Sequence, residues 1–164
     1  MGTSFVTLER DVNGIPTSDI NHQVGFWMRD SMLELWLRLM VLNAGEPKSQ
    51  GLIAIRNQWF LASQDVCSGC IPTGLDTAAA TPEGFVFMKT AVENLSAAVC
   101  LMDGPLTRSA LDLLGCGGWQ RDIEIEDLMD IAAAFLDLVN FNVSSTASTE
   151  KYVPGRRQPG ILPR

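Results

Sequence analysis

Apolar side chains crowd the stretch from Ser18 to Asn43, SDINHQVGFWMRDSMLELWLRLMVLN. Between Val24 and Leu42 its only charges are Arg29, Asp30, Glu34 and Arg38. Asp30, Glu34 and Arg38 recur every four residues, so a helix aligns them in one narrow polar stripe, expected as its single solvated edge. Phe26, Trp27, Met28, Met32, Leu33, Trp36, Leu37 and Met40 cover most of the remaining circumference, the pattern of a helix that other helices pack around. A central helix over 18–43 is therefore predicted, with Thr17, Ser18 and Asp19 as N-caps and Gly45 and Pro47 as its stop.

Weaker periodicities follow. Ile53, Ile55, Trp59, Phe60 and Ala62 predict an amphipathic helix over 49–65, hairpinned to the first. Residues 67–82, CSGCIPTGLDTAAATP, carry two glycines and two prolines and predict a long loop. Thr81-Pro82-Glu83 combines a cap, a proline at the first helical position and an acid in the first turn. The stripe Phe85, Met88, Val92, Leu95, Val99 and Met102 extends that helix to 102. A short helix over 106–114 ends at Gly115, Gly117 and Gly118, and a last helix over 123–141 turns Ile125, Leu128, Ala132, Phe135, Leu136 and Val139 inward. TSFVTL at 3–8 has strand chemistry but no evident strand to pair with, so it is expected as an extended arm. The expected fold is all-α: a single-domain bundle of about five helices over 18–142, an extended N-terminal arm over 1–17, and a non-helical, basic, Pro/Gly-rich tail over 143–164.

Charge changes the functional picture more than the fold. Residues 1–149 hold 8 Lys/Arg against 18 Asp/Glu, whereas residues 150–164 hold 4 against 1. An acidic body repels phosphates and anionic headgroups, which argues against nucleic acid or a membrane surface as partner, and it speeds encounter with a basic protein. The start, MGTSFVTLERDV, lacks a basic region followed by an apolar run, and position 6 is Val where a myristoylation motif wants Ser or Thr. A cytoplasmic protein is expected.

Candidate chemistry is sparse. Cys67-Ser68-Gly69-Cys70 has the spacing of a redox couple or half a zinc site, but Cys100, Cys116 and His22 are the only other soft ligands, and Cys100 reads as a small core residue beside Val99. Asp19 and His22 form a carboxylate–histidine pair expected to serve in capping. Asp30 and Glu34, one turn apart, are the alternative metal ligands. Asp122, Glu124, Glu126, Asp127 and Asp130 place five acids in nine residues, preceded by Trp119. No phosphate loop, nucleophile elbow or histidine triad is present, so no catalytic residue and no cofactor is assigned.

Two functions of different class lead, and a third stays open. One is a non-enzymatic, immunity-type module that binds and neutralises a basic partner such as a bacterial toxin, using Trp119 as anchor within the carboxylates Asp122, Glu124, Glu126, Asp127 and Asp130. The other is a metal-dependent helical hydrolase of nucleotides built on Asp30 and Glu34 with acids of the last helix. A small-molecule sensor with an apolar pocket among Trp27, Trp36, Trp59 and the Met residues is a third.

Overall fold

A computed structural model of the chain describes residues 2–64, 69–149 and 151–155. Strand β1 (Thr3–Thr7) pairs antiparallel with β2 (Gly25–Arg29), from Thr3 opposite Arg29 to Thr7 opposite Gly25. A two-residue strand from the tail (Tyr152–Val153) runs parallel along the other side of β2. This mixed three-stranded sheet overturns the all-α expectation: the described residues form an α/β fold of six α-helices and one sheet.

The error has a physical source. A short, continuously apolar run such as Phe26-Trp27-Met28 fits a buried helix and a buried strand equally well, and only its partners decide. Here Phe26 and Met28 are fully buried on the core face. Trp27 lies on the opposite face between Phe5 and Tyr152, its ring centroid 5.4 and 6.5 Å from theirs. Gly25 lets β1 approach, since a Cβ there would run into the Val6 carbonyl.

The central helix therefore begins at Asp30, not at Ser18. Helix α1 (Asp30–Asn43) follows β2 directly and keeps the expected role of core post, with Leu33, Trp36, Leu37 and Met40 fully buried. No helix starts at residues 19–22, so the capping role expected of Asp19 and His22 is replaced by a local turn. Asp19 accepts the Asn21 N–H at 3.0 Å, and its other oxygen meets His22 Nδ1 at 2.8 Å. The Asn21 N–H, and after it the His22 ring, holds the Asp19 carboxyl below its ordinary value.

The predicted solvated edge of α1 is also corrected. Asp30 is buried, and Arg38 is half-buried, donating from Nε to Ser63 Oγ at 2.8 Å and from Nη1 to the Leu114 carbonyl at 3.0 Å. Its guanidinium lies over the Phe60 ring, 4.8 Å from the centroid. Arg38 thus ties its helix to the end of the next one at Ser63 and to the distant carbonyl of Leu114, and its aliphatic stem suits a position beside so apolar a surface.

Helix α2 (Gln50–Ala62) starts where Ser49 accepts the Leu52 N–H at 3.3 Å. The region expected as an uninterrupted loop contains a short helix, α3 (Leu75–Ala79), entered through Gly74 at a φ of 66°. Helix α4 (Pro82–Cys100) has the cap that the sequence announces, Thr81 Oγ1 accepting the Gly84 N–H at 3.1 Å. Helix α5 (Arg108–Leu113) is capped by Thr107, and α6 (Ile125–Val139) packs chiefly along α4. Their shared core takes in Met88, Val92, Leu95, Leu128, Ala132 and Phe135, the last with its ring tilted against that of Trp36 at 5.4 Å between centroids. No helix among the described residues is long and apolar enough to cross a membrane.

The tail does more than lie on the body. Gly25 donates to the Ser145 carbonyl at 2.8 Å, and Ser145 Oγ returns a bond to the Gly25 carbonyl at 2.6 Å. Trp27 donates from its backbone to Lys151 at 2.7 Å and from Nε1 to Ala147 at 3.0 Å. A 3₁₀ turn (Ala147–Thr149) lies between these contacts, so the described part of the tail is neither wholly non-helical nor separate from the sheet.

The cysteines are corrected in part. Cys100 is exposed at the end of α4 rather than in the core, one residue past buried Val99, because a single residue turns a helix by about 100°. Cys70 is exposed, and Cys67 lies outside the described residues. Burial pushes the Cys116 thiol up, against the pull of Arg38, with Glu34 adding to the rise. The thiolate is the nucleophile, so raising the pKa slows alkylation at neutral pH. In native protein treated with iodoacetamide, Cys70 and Cys100 are expected to label before Cys116, whose rate climbs only as pH rises beyond the ordinary thiol range. Mass spectrometry over time reads the order, and early labelling of Cys116 would contradict it.

Candidate functional site

At the end of the sheet where β2 passes into α1, the two ends of the described chain meet the start of α6. Gly2 is held there by the Asp30 N–H, which reaches the Gly2 carbonyl at 3.1 Å. Tyr152 and Val153 are held by their pairing with Trp27 and Met28. The third wall is the segment 119–127. Leu106 and Ile123 exchange backbone hydrogen bonds of 2.9 Å in both directions, and Asp122 Oδ1 accepts the Arg108 N–H at 2.8 Å. Buried Ile123 thus pins the segment from below, while Glu124 stands as the N-cap of α6 without a side-chain capping bond.

These walls enclose a cavity of about 500 Å³. That size falls within the range of clefts that take small molecules or a partner's side chain, roughly 300–1,000 Å³. Its charged lining is Asp122, Glu124, Glu126 and Asp127 together with Arg29 and Arg121; Trp119 and Tyr152 supply aromatic surface, and Met32, Ile123, Val153 and Pro154 supply apolar surface. Glu126 and Asp127 occupy the first turn of α6, where carboxylates complement the positive end of the helix dipole.

Five of the six residues that the sequence nominates for partner binding therefore come together. The exception is Asp130, exposed farther along α6 and absent from the cavity wall. Asp122 has a structural duty as well, because its bond to Arg108 N–H secures the start of α5. Arg29, Tyr152, Val153 and Pro154 were missed. Arg29 owes its place to pairing with Thr3, and Tyr152 to Pro154 owe theirs to pairing with residues more than a hundred positions earlier, and no local pattern announces either. Arg121, two positions past Trp119, also belongs to the wall and was likewise missed.

The alternative metal pair looks different in three dimensions. Asp30 Oδ1 accepts the Ser4 hydroxyl at 2.7 Å, and Oδ2 accepts the Gly69 N–H at 2.8 Å. Ser4 Oγ in turn accepts the Ile71 N–H at 3.0 Å. The carboxylate is thus engaged in joining β1, α1 and the 69–71 segment. Among the described residues no three His, Cys, Asp or Glu side chains are grouped to hold a metal ion. The tryptophans considered for an apolar sensor pocket are spent on packing: Trp36 and Trp59 are fully buried, against Phe135 and Phe87, and Trp27 lies in the aromatic row across the sheet.

Comparison with protein-family models, curated proteins and solved structures finds no match.

What the cavity can do follows from its lining. Among the described residues its wall holds carboxylates, two guanidinium groups, two aromatic rings and the hydroxyls of Thr3 and Tyr152. Aromatic faces and carboxylates around a concavity suit a guanidinium or ammonium group, through cation–π attraction and charge-assisted hydrogen bonds.

Proposed function

We propose that this protein is a non-enzymatic binding module of immunity type, which captures a basic protein partner by receiving its arginine or lysine side chains in the cavity beneath Trp119. The observation that carries the proposal is the convergence of Trp119, Asp122, Glu124, Glu126 and Asp127 on one concavity. A basic side chain entering there exchanges water for carboxylates and a ring face, and the acidic body steers the encounter. Neutralisation follows if the captured side chains are ones a toxin-like partner uses on its own anionic substrate.

The test uses a fluorescein-labelled hexa-arginine peptide and its hexa-glutamate counterpart, with binding read by anisotropy. The arginine peptide is expected to bind and the glutamate peptide not to, with an affinity that falls as salt rises. Trp119→Ala should cost about 2 kcal/mol, roughly a thirtyfold rise in Kd. Glu126→Lys with Asp127→Lys should abolish binding, whereas Asp130→Lys, outside the cavity, should change it little. Equal binding of both peptides, or an unchanged Kd in the Glu126→Lys/Asp127→Lys variant, would overturn the proposal.

A further inference from the structure

The two walls of the cavity carry opposite charge. On the sheet side the charged residue among those described is Arg29, half-buried at the point where β2 becomes α1. On the other side Asp122, Glu124, Glu126 and Asp127 stand against a single cation, Arg121. Among the described residues no ion pair or side-chain hydrogen bond joins Arg29 to any of these carboxylates. A concavity that holds opposite charges apart is complementary to a ligand that carries both signs. Resting on the proposed capture of basic side chains, we infer that the residue captured is a C-terminal arginine of the partner, its guanidinium among the carboxylates of the α6 wall and its own terminal carboxylate on Arg29.

The sheet wall is built to take an anion. A guanidinium grips a carboxylate through two parallel N–H donors, which a point charge does not offer. Arg29 is also fixed in place, its backbone paired with Thr3 across the sheet and serving as the N-cap of α1. That helix begins without a side-chain capping bond, whereas Ser49, Thr81 and Thr107 supply one to α2, α4 and α5. The acid in its first turn, Asp30, is engaged by Ser4 and Gly69 and does not line the cavity. The positive end of the α1 dipole therefore adds to the charge of Arg29. An arginine inside a chain brings only an amide to that wall. A C-terminal arginine brings guanidinium and carboxylate on one residue, and a cavity of about 500 Å³ suits a group of that size.

The experiment compares two hexa-arginine peptides, both labelled with fluorescein at the N-terminus, one with a free C-terminal carboxylate and one amidated. Attraction to the acidic body alone favours the amide, which carries one negative charge fewer. The opposite order is expected: the free acid binds about tenfold more tightly than the amide, as read by anisotropy. Arg29→Gln should bring the acid to the level of the amide without weakening the amide. Arg29→Lys, which keeps the charge and loses the paired donors, should restore only part of the preference.

An amide that binds the wild type as tightly as the acid, or more tightly, would overturn the inference and leave the capture of basic side chains standing. This comparison needs no variant, so it decides even if Arg29→Gln folds poorly. Absence of binding by either peptide would overturn both. A preference for the acid that persists in folded Arg29→Gln would place the carboxylate elsewhere and overturn the role of Arg29. Free arginine, titrated against the bound acid peptide, is the last arm: if it binds more tightly than the peptide, the ligand is a small molecule and the assignment to a partner's terminus is wrong.

Discussion

Replacing Asp30 with alanine is expected to lower the unfolding free energy by about 3 kcal/mol or more, because two hydrogen bonds to a buried charged acceptor disappear together. Asp30 receives the Ser4 hydroxyl and the Gly69 N–H, and Ser4 passes the connection on to the Ile71 N–H. With only a methyl at position 30, the Gly69 N–H and the Ser4 hydroxyl lose a partner in a region that Ser4, Asp30 and Ile71 all leave closed to water. The loss is a large part of the stability of a typical domain, about 5–15 kcal/mol. Asp30→Asn should recover part of it by keeping one acceptor oxygen. Ser4→Ala and Asp30→Ala together should cost less than their sum, since both remove the same contact. Urea denaturation of the wild type and these four variants measures this. A cost for Asp30→Ala within about 0.5 kcal/mol, the ordinary range of surface changes, would show that the network holds nothing.

Gly25→Ala is expected to be nearly as damaging. An added Cβ runs into the Val6 carbonyl and comes within 2.9 Å of the Phe5 ring, and neither neighbour is the free end of a flexible side chain. Relief requires β1 and β2 to separate at their Thr7–Gly25 end, and Gly25 also holds the tail through its two bonds with Ser145. The cost is about 2–3 kcal/mol, at the upper end for overpacking because backbone yields less readily than side chains. Gly104→Ala is the control. A Cβ at Gly104 meets nothing within 4 Å, so the change should stay within about 0.5 kcal/mol of the wild type. Thermal melts compare the two, and equal melting temperatures would mean that the strands do not pair in this register.

Local chemistry made much of the helical part of the fold legible. Thr81-Pro82 places the start of α4, and Ser49 the start of α2, because a cap needs only its own hydroxyl and an amide three residues on. The periodic stripe of the last helix puts Leu128, Ala132, Phe135 and Val139 inward, as observed. The strands were not legible for the opposite reason. Gly25–Arg29 shares its apolar character with the helix that follows, and what makes it a strand is a row of hydrogen bonds to residues 3–7 on one side and 151–153 on the other. Those partners look weak in isolation: five residues of arm and two of tail.

The same division runs through the site. Trp119 and the acids from Asp122 to Asp127 stand out in the sequence by density alone, and their convergence on one cavity wall involves a single short segment and the first turn of α6. The opposite wall of Gly2, Arg29 and Tyr152 exists only because the sheet brings both ends of the described chain together. Asp30 shows how far environment overrides type. On a helical wheel it belongs to a polar stripe, yet a strand and a loop packed over the start of α1 turn it into a buried joint.

By itself, then, the sequence determined which segments become capped amphipathic helices, the acidity of the body and the position of the acidic and aromatic cluster, since each depends on contacts within a few residues. Only the tertiary structure decided that the apolar run before Asp30 is a strand, that Asp30 and Arg38 are joints and not a wet edge, and that the cluster borders a cavity. Those outcomes rest on hydrogen bonds and close approaches between distant residues, to which a one-dimensional pattern is indifferent until the chain has closed on itself.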